Sequence, residues 1–435
     1  MRLIARLIPA LAGLLVAAGV CAGPVETAGA PAAEPARLYA RSAILVDQAT
    51  GRVLYQRNAD EPLVPASLAK LMSLHIVYER LEDRSINRTD VVSLTANAWA
   101  DNQAPGSTLM HLGKGQIVTV EELMRGAAIA SGNDAAAALA EYVAGSTAEF
   151  VRRMNEEARF MGYAVTRFTD PSGIGEGNQV TAREFADFCR RYIDLHPEAL
   201  AELHSLREIA YPLPKNMPGG RLGPNATKKQ FNGNFLVWDD FGVDGLKTGH
   251  LDDDNFTAAI TARRGETRLI AVLLGVPGTS LSDGASNRSE DGMALLSYGF
   301  RNYSTLTLEP PELAPARVWK GTARAIPVAA AATVRLTVRH EEVDRLAYSV
   351  RMEEPLLAPV ARGQKVGTLV YTAGGDEVGW IPLVAAEGVD TAGFIRRAWD
   401  TIALALAAVR DVLDTLLTPA IVSQRTLPSI ERRAP

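Results

Sequence analysis

The chain has 435 residues, 47% of them apolar and 22% charged, with a formal net charge of −5. That length supports two or three domains with sizeable cores. The acidic balance excludes nucleic acid as the main partner, because phosphate backbones call for a basic surface. No repeat of fixed period runs through the chain, which excludes a solenoid.

The N-terminus reads as a secretory signal over 1–22. Arg2 and Arg6 give a positive start, Leu7 to Val20 is an apolar run, and Val20-Cys21-Ala22 allows cleavage after Ala22. The run is short for a membrane span, and Val20 is a poor neighbour for a lipidated Cys21. The protein is therefore expected outside the cytoplasm. Signal removal leaves Cys189 alone, so no disulfide framework forms. Cys189 lies in a stretch with helical periodicity and is expected to be a buried packing thiol. Residues 23–39, rich in Ala, Pro, Gly and Glu, are expected to be a disordered leader.

The first folded region is expected over 40–304. Ala43 to Val46 and Val53 to Tyr55 read as strands joined by a turn over Asp47 to Gly51. Leu68 to Leu81 is apolar nearly all round, which predicts a buried central helix. Thr119-Val-Glu-Glu122 is a capping box before Leu123 to Ala130, and Ser146 to Glu149 and Thr181 to Glu184 are two more. Asn133 to Val143 is alanine-rich and stops at Gly145. Pro212 to Gln230, dense in Pro, Gly and Asn, is expected to be a long loop. Strands follow at Val243 to Lys247, Phe256 to Ala262 and Arg268 to Val276, with Arg263 to Glu266 as a hairpin turn. Met293 to Phe300 reads as a closing helix. Strands, then helices, then strands predict one sheet packed with helices, assembled from both ends of the region.

Residues 305–388 alternate short apolar runs with Gly and Pro turns. The runs Thr333 to Val338, Leu346 to Met352, Val366 to Tyr371 and Val378 to Leu383 predict a small all-β domain. An amphipathic helix is expected within 389–420. It places Phe394, Ile395, Trp399, Ile402 and Leu406 on one face. A disordered tail is expected over 421–435. The helix has two readings, contact with a membrane surface or docking on a protein.

Three short motifs carry chemistry. In Ser67-Leu68-Ala69-Lys70, residues three apart on a helix share a face, so the lysine amine reaches the serine hydroxyl. A serine needs a base to become a nucleophile, and lysine is a base only when its neutral form is favoured. Pro65 suits a helix start, which puts Ser67 at the positive end of the helix dipole. On its own this motif is weak, since about one such spacing arises by composition in a chain of this length. Ser131-Gly132-Asn133 offers a hydroxyl for proton relay and an amide for a substrate carbonyl. Lys247-Thr248-Gly249, at a predicted strand end, offers a cation and a hydroxyl for a carboxylate, and Gly249 leaves room for a substrate along the strand edge.

The three together, in this order, resemble the set of penicillin-binding proteins and serine β-lactamases. Pro65 to Lys70, Ala130 to Glu141, Met154-Asn155 with Gly162, Asp170-Pro171-Ser172-Gly173 and Val243 to His250 narrow this. They resemble the low-molecular-mass serine D-alanyl-D-alanine carboxypeptidases. The resemblance continues into the β-rich region at Ala358-Pro359 and Gly363 to Gly367.

It implies an α+β transpeptidase/β-lactamase-like domain with an antiparallel sheet, then a small all-β domain and a C-terminal amphipathic helix that acts as a peripheral membrane anchor. It implies a peptidoglycan stem peptide as substrate and β-lactams as inhibitors. Ser67 would be the nucleophile, Lys70 the base, and Ser131 with Lys247 the proton relay. Asn133, Thr248, Gly249, the His250 backbone and Arg288 would bind substrate. No cofactor is implied, and the six histidines show no metal-ligand spacing in sequence.

Leu251-Asp252-Asp253-Asp254 departs from the family's pattern after His250. Three alternatives stay open: a β-lactamase, although no Glu-x-x-Leu-Asn segment lies between Asn133 and Lys247; a D,D-endopeptidase, a group that usually lacks the β-domain and tail; and a non-catalytic wall-binding scaffold.

Overall fold

A computed structural model describes residues 35, 37–223, 226–353, 355–417 and 425–426. The expected signal segment and all of the leader before 35 lie outside these residues. The chain divides into two compact units, one reaching to Leu306 with Thr337–His340, the other Thr307–Leu336 and the chain from Glu341.

In the first unit, strands β1 (Ser42–Asp47) and β2 (Val53–Arg57) precede the helices α1 (Ala69–Glu82), α2 (Val120–Ala128), α3 (Asn133–Ala144), α4 (Thr147–Phe160) and α5 (Ala182–Leu195). A small hairpin, β3 (Glu208–Tyr211) and β4 (Lys228–Phe231), follows. The chain then enters β5 (Val243–His250), β6 (Phe256–Arg264), β7 (Thr267–Val276) and α6 (Leu281–Asn302). β1, β2, β5, β6 and β7 make a five-stranded sheet in the order β2-β1-β7-β6-β5, with antiparallel pairing throughout. The first and last strands in sequence thus meet at the β1–β7 seam, where Leu45 faces Ala271.

Alternation along the strands splits the core into two layers. Ile44, Val46, Ala259, Ile270, Val272 and Leu274 pack with α1 and α5 on one side. Ala43, Leu45, Ala258, Ile260, Leu269 and Leu273 pack with Leu295, Leu296 and Tyr298 of α6 on the other. Helix α1 is buried from Ala69 to Tyr78, including the polar Lys70, Ser73 and His75. Cys189 is a buried free thiol inside α5.

Several expectations need correction. The leader is packed before residue 40: Leu38 is buried, and the backbone amides of Tyr39 and Ala40 donate to the Asp291 carboxylate at 2.9 and 2.7 Å. The Pro212–Gln230 segment is not loop to its end, because Lys228–Phe231 pairs with Glu208–Tyr211. Lys-Lys-Gln-Phe lacks the apolar alternation of a half-buried strand, so only the partner strand specifies it. The closing helix begins twelve residues earlier than expected, at Leu281, where the Ser280 side chain caps the Asp283 amide. Its first turns are polar and carry no periodic signal.

Of the three capping boxes, only Thr119–Glu122 closes in both directions. Ser146 and Thr181 cap their helices, but the partner glutamates turn elsewhere. Glu149 pairs with Arg152. Glu184 accepts from the backbone amides of Ala164, Val165 and Thr166 and from the Thr166 hydroxyl.

Farther along the chain, β8 (Val328–Ala330) is a strand the sequence did not mark, whereas β9 (Val334–Arg339), whose last three residues fall in the first unit, β10 (Leu346–Met352), β11 (Lys365–Ala373) and β12 (Asp376–Ala385) match the four expected strands. β8, β12, β11 and β10 form one antiparallel sheet in that order. The β11–β12 hairpin turns on Gly374 and Gly375, at φ +64° and +106°, where side chains are strained and glycine is not. Within the expected disordered tail, Arg425–Thr426 pair with the edge of β10; the rest of 421–435 lies outside the described residues. Helix α7 (Phe394–Leu417) closes the unit. The Lys320 amide bonds to the Asp400 carboxylate at 2.5 Å, and the Arg396 guanidinium to the Thr322 carbonyl at 3.1 Å. Its apolar residues point away: Phe394, Ile395, Trp399, Ile402 and Leu406 are all exposed.

Glu184 ties the start of α5 to the turn after α4, and its removal leaves three amides without their acceptor. Glu184→Ala is expected to cost about 3 kcal/mol and to lower Tm by about 6 °C in calorimetry. A melting curve equal to that of the wild type would remove this carboxylate from the fold's supports.

Candidate active site

Ser67 lies in a single 3-10 turn, Ala66–Leu68, that feeds α1. Ala66 is held at φ +48°. Two glycines allow the chain to close around it. A Cβ on Gly173, itself at φ +85°, would lie 1.8 Å from the Ala66 carbonyl oxygen, and one on Gly249 would lie 2.8 Å from the Ser67 amide nitrogen. The Thr257 hydroxyl of β6 adds a bond to the Pro65 carbonyl at 2.9 Å. The Ser67 amide is thereby pressed against the end of β5, at the helix N-terminus where partial positive charge gathers.

Lys70, one turn on, is fully buried. Its Nζ donates to Ser67 Oγ at 2.9 Å, Asn133 Oδ1 at 2.7 Å and the Ser172 carbonyl at 2.8 Å. Those three acceptors use all three ammonium protons. Burial lowers its pKa to about 7 and outweighs the carboxylates of Asp170 and Asp134, which act in the opposite direction. The amine is therefore about half neutral near pH 7, with Ser67 Oγ in reach.

Ser131 stands between α2 and α3 at φ +56°. This left-handed conformation is uncommon for a residue with a side chain and is typical of functional sites. It turns the hydroxyl toward β5, where Lys247 Nζ donates to Ser131 Oγ at 2.9 Å and to the Thr248 carbonyl at 2.9 Å. Burial pushes Lys247 well below the ordinary lysine range, and the charges of Lys70 and Arg288 add to that. Asn133 opens α3 with Oδ1 on Lys70, and its Nδ2 is left for a ligand. Ser67, Lys70, Asn133, Ser131 and Lys247 therefore form one linked cluster lined by α1, α3 and β5.

The remaining predicted residues border it. Thr248 is buried, and its hydroxyl would be 2.7 Å from a Cβ on Gly233. The His250 ring packs on Phe256 at 4.3 Å between centroids. Arg288, buried in α6, donates to the carbonyls of Gly249 and Gly233, both at 2.9 Å, and its Nε has no partner. Among the described residues no carboxylate pairs with it. Burial lowers its pKa to about 10, so it remains a cation, and a buried cation without a counter-ion is costly.

In the Leu251–Asp254 departure, the Asp252 carboxylate accepts from the Asp254 amide and the Asn255 side chain at 3.0 and 2.7 Å. Asp252 thus builds the β5–β6 turn, while Asp253 and Asp254 stay exposed.

Two supporting carboxylates received no role from sequence. Asp170 accepts from the Ser172, Gly173 and Gly175 amides, the Ser172 hydroxyl and Asn178. It fixes the loop whose Ser172 carbonyl meets Lys70. Asp134 accepts from the Met110 and Leu112 amides at 2.8 and 3.0 Å. The turn-forming Asp-Pro-Ser-Gly run was the available signal for Asp170.

Only neutral Lys70 accepts a proton, so the second-order rate of any acylation at Ser67 is expected to fall as pH drops through about 7. Asp170→Asn removes a charge that favours the ammonium, so the limb is expected to move to lower pH, together with a loss of stability. A limb that stays in place in this variant would mean the Lys70 charge is not what the profile reports.

A profile of the D-alanyl-D-alanine carboxypeptidase family matches residues 29–278. One of the penicillin-binding protein 5 C-terminal domain matches residues 310–391. D-alanyl-D-alanine carboxypeptidase DacC of Escherichia coli is 34% identical over 384 residues, 87% of this chain and 91% of that protein. DacF of Bacillus subtilis is 31% identical over 82% of this chain and 87% of its own length. The crystal structure of penicillin-binding protein 5 from Haemophilus influenzae superposes with a TM-score of 0.74 at 30% identity, covering 82% of this chain and all of that one. On sequence, fold and the extent of the match, the chain belongs to the D-alanyl-D-alanine carboxypeptidase family of penicillin-binding proteins.

Proposed function

We propose that this protein removes the terminal D-alanine of peptidoglycan stem pentapeptides through an acyl-enzyme on Ser67. The observation that carries the reading is the 2.9 Å contact between Ser67 Oγ and the buried amine of Lys70. Neutral Lys70 takes the Ser67 proton as Oγ attacks the carbonyl between the two D-alanines. The Ser67 and His250 backbone amides receive the developing oxyanion. Lys247 and Ser131 pass a proton to the leaving amine, and Asn133 Nδ2 holds a peptide carbonyl. Thr248 and the unpaired cation of Arg288 attract the terminal carboxylate. Water then hydrolyses the ester and restores Ser67. Penicillins follow the first half of this path, because their strained amide presents the same carbonyl beside a carboxylate.

The β-rich domain match over 310–391 supports the carboxypeptidase over the endopeptidase reading. The poised Lys70 supports a catalyst over a scaffold.

We further propose export through the signal segment and peripheral attachment to the outer face of the inner membrane. Among the described residues no helix is long and apolar enough to cross a membrane. The support is α7: Phe394 and Ile395 are 82% and 75% exposed, and an apolar stripe of that kind is stable when set in a lipid interface.

The purified protein is expected to release D-alanine from a pentapeptide and to be labelled by fluorescent penicillin, and Ser67→Ala to do neither. Release by Ser67→Ala at the wild-type rate would reassign the nucleophile. A chain ending at Gly393 is expected to keep penicillin labelling but to lose sedimentation with anionic vesicles. Equal sedimentation of both forms would detach the membrane role from α7.

A further inference from the structure

Helix α1 carries a second polar cluster about 12 Å beyond the nucleophile, eight residues further along at a rise of about 1.5 Å each. His75 is buried, and its Nε2 has no hydrogen-bond partner. That atom lies 3.9 Å from Glu79 Oε1 and 3.6 Å from Glu157 Oε1, and the three possible ligand atoms lie within 4.8 Å of one another. His75 and Glu79 are four apart on one face of α1, and Glu157 comes from α4. The histidines showed no ligand spacing in sequence because one of the three groups belongs to another helix.

On the other side of the imidazole, His75 Nδ1 lies 2.8 Å from His196 Nε2, so the ring is held by that hydrogen bond and turns its unpartnered Nε2 toward two carboxylates. A buried ring nitrogen and two carboxylate oxygens in that arrangement call for a cation between them.

We propose that His75, Glu79 and Glu157 form a divalent metal site that clips α1 to α4, with zinc as the best-matched ion. Zinc takes imidazole nitrogen and carboxylate oxygen at about 2.0–2.2 Å in a tetrahedron, which sets donors about 3.4 Å apart. The observed 3.6 and 3.9 Å need only a small adjustment. Magnesium and calcium favour all-oxygen sets, whereas imidazole suits zinc and its transition-metal neighbours. The hydrogen bond between His75 Nδ1 and His196 Nε2 supplies the outer contact that orients a metal-bound imidazole. The Glu79 side chain is 40% exposed and gives the ion a path in. Three protein ligands leave one position for water. No group of this site touches Ser67 or Lys70, so its occupancy bears on the rigidity of the helix rather than on the acylation chemistry.

The test uses the purified protein stripped with a chelator and then titrated with Zn²⁺, read by calorimetry and by thermal melting. One ion per chain is expected to bind with a micromolar or tighter Kd. It should raise Tm by about 5 °C at about a hundredfold excess over Kd. Co²⁺ should give a stoichiometric visible absorption band. Glu79→Gln and Glu157→Gln, both at the edge of the core, are each expected to weaken binding by more than about tenfold and to keep penicillin labelling. Absence of saturable binding would overturn the site, as would equal binding in the Glu79→Gln/Glu157→Gln double variant. A Tm that saturating zinc leaves unchanged would also overturn it.

Discussion

The burial of one lysine amine governs this structure. Lys70 sits in the middle of the core with its ammonium protons matched to three acceptors, and its pKa falls to about 7 because desolvation exceeds the pull of two nearby carboxylates. Weaker burial would leave it a permanent cation; loss of Asp170 and Asp134 would favour the neutral form further but would release the loops that shape the site. The surrounding fold maintains that balance: α1 is sealed by the sheet and by α3 and α4, while the second buried lysine at 247 is lowered by its own burial and by the charge of Lys70. Two amines this close and this dry cannot both stay charged cheaply, which is what proton transfer across the cleft requires.

Close backbone approach is the second constraint. The end of β5 and the 172–173 loop pass so near the Ser67 turn that a Cβ at 249 or 173 would overlap backbone atoms. The Ser67 hydroxyl and the Ser67 and His250 amides, the nucleophile and oxyanion donors of the proposed reaction, are therefore placed by main chain, which moves less than side chains. The strained residues, Ala66 and Ser131, occur where the chain must turn a functional group inward. Their conformational cost is offset by the packed elements on either side.

Among the described residues, Arg288 is a buried guanidinium without a carboxylate, and helix α7 has an apolar face without a cover. The proposed function gives each a partner: a substrate ending in a carboxylate, and a lipid surface. The polar face of α7 is already engaged through Asp400 and Arg396, which fixes the orientation of the helix.

The strands of the main sheet, the buried α1 and the β-rich second unit were legible in sequence, because alternation, all-round apolarity and glycine-marked turns are local signals. The three chemical motifs were legible too, since each is a few residues long. What the sequence could not carry is whatever depends on distant partners. The early start of α6 hides in a polar turn, and β4 exists only through its pairing with β3. Two capping glutamates left their boxes for other work, and Glu157 meets His75 only because α4 packs on α1. The sequence by itself determined which residues could react and which segments could form a core. Tertiary structure decided the protonation of Lys70 and Lys247, because a pKa is set by desolvation and neighbouring charge, and both are properties of the assembled fold.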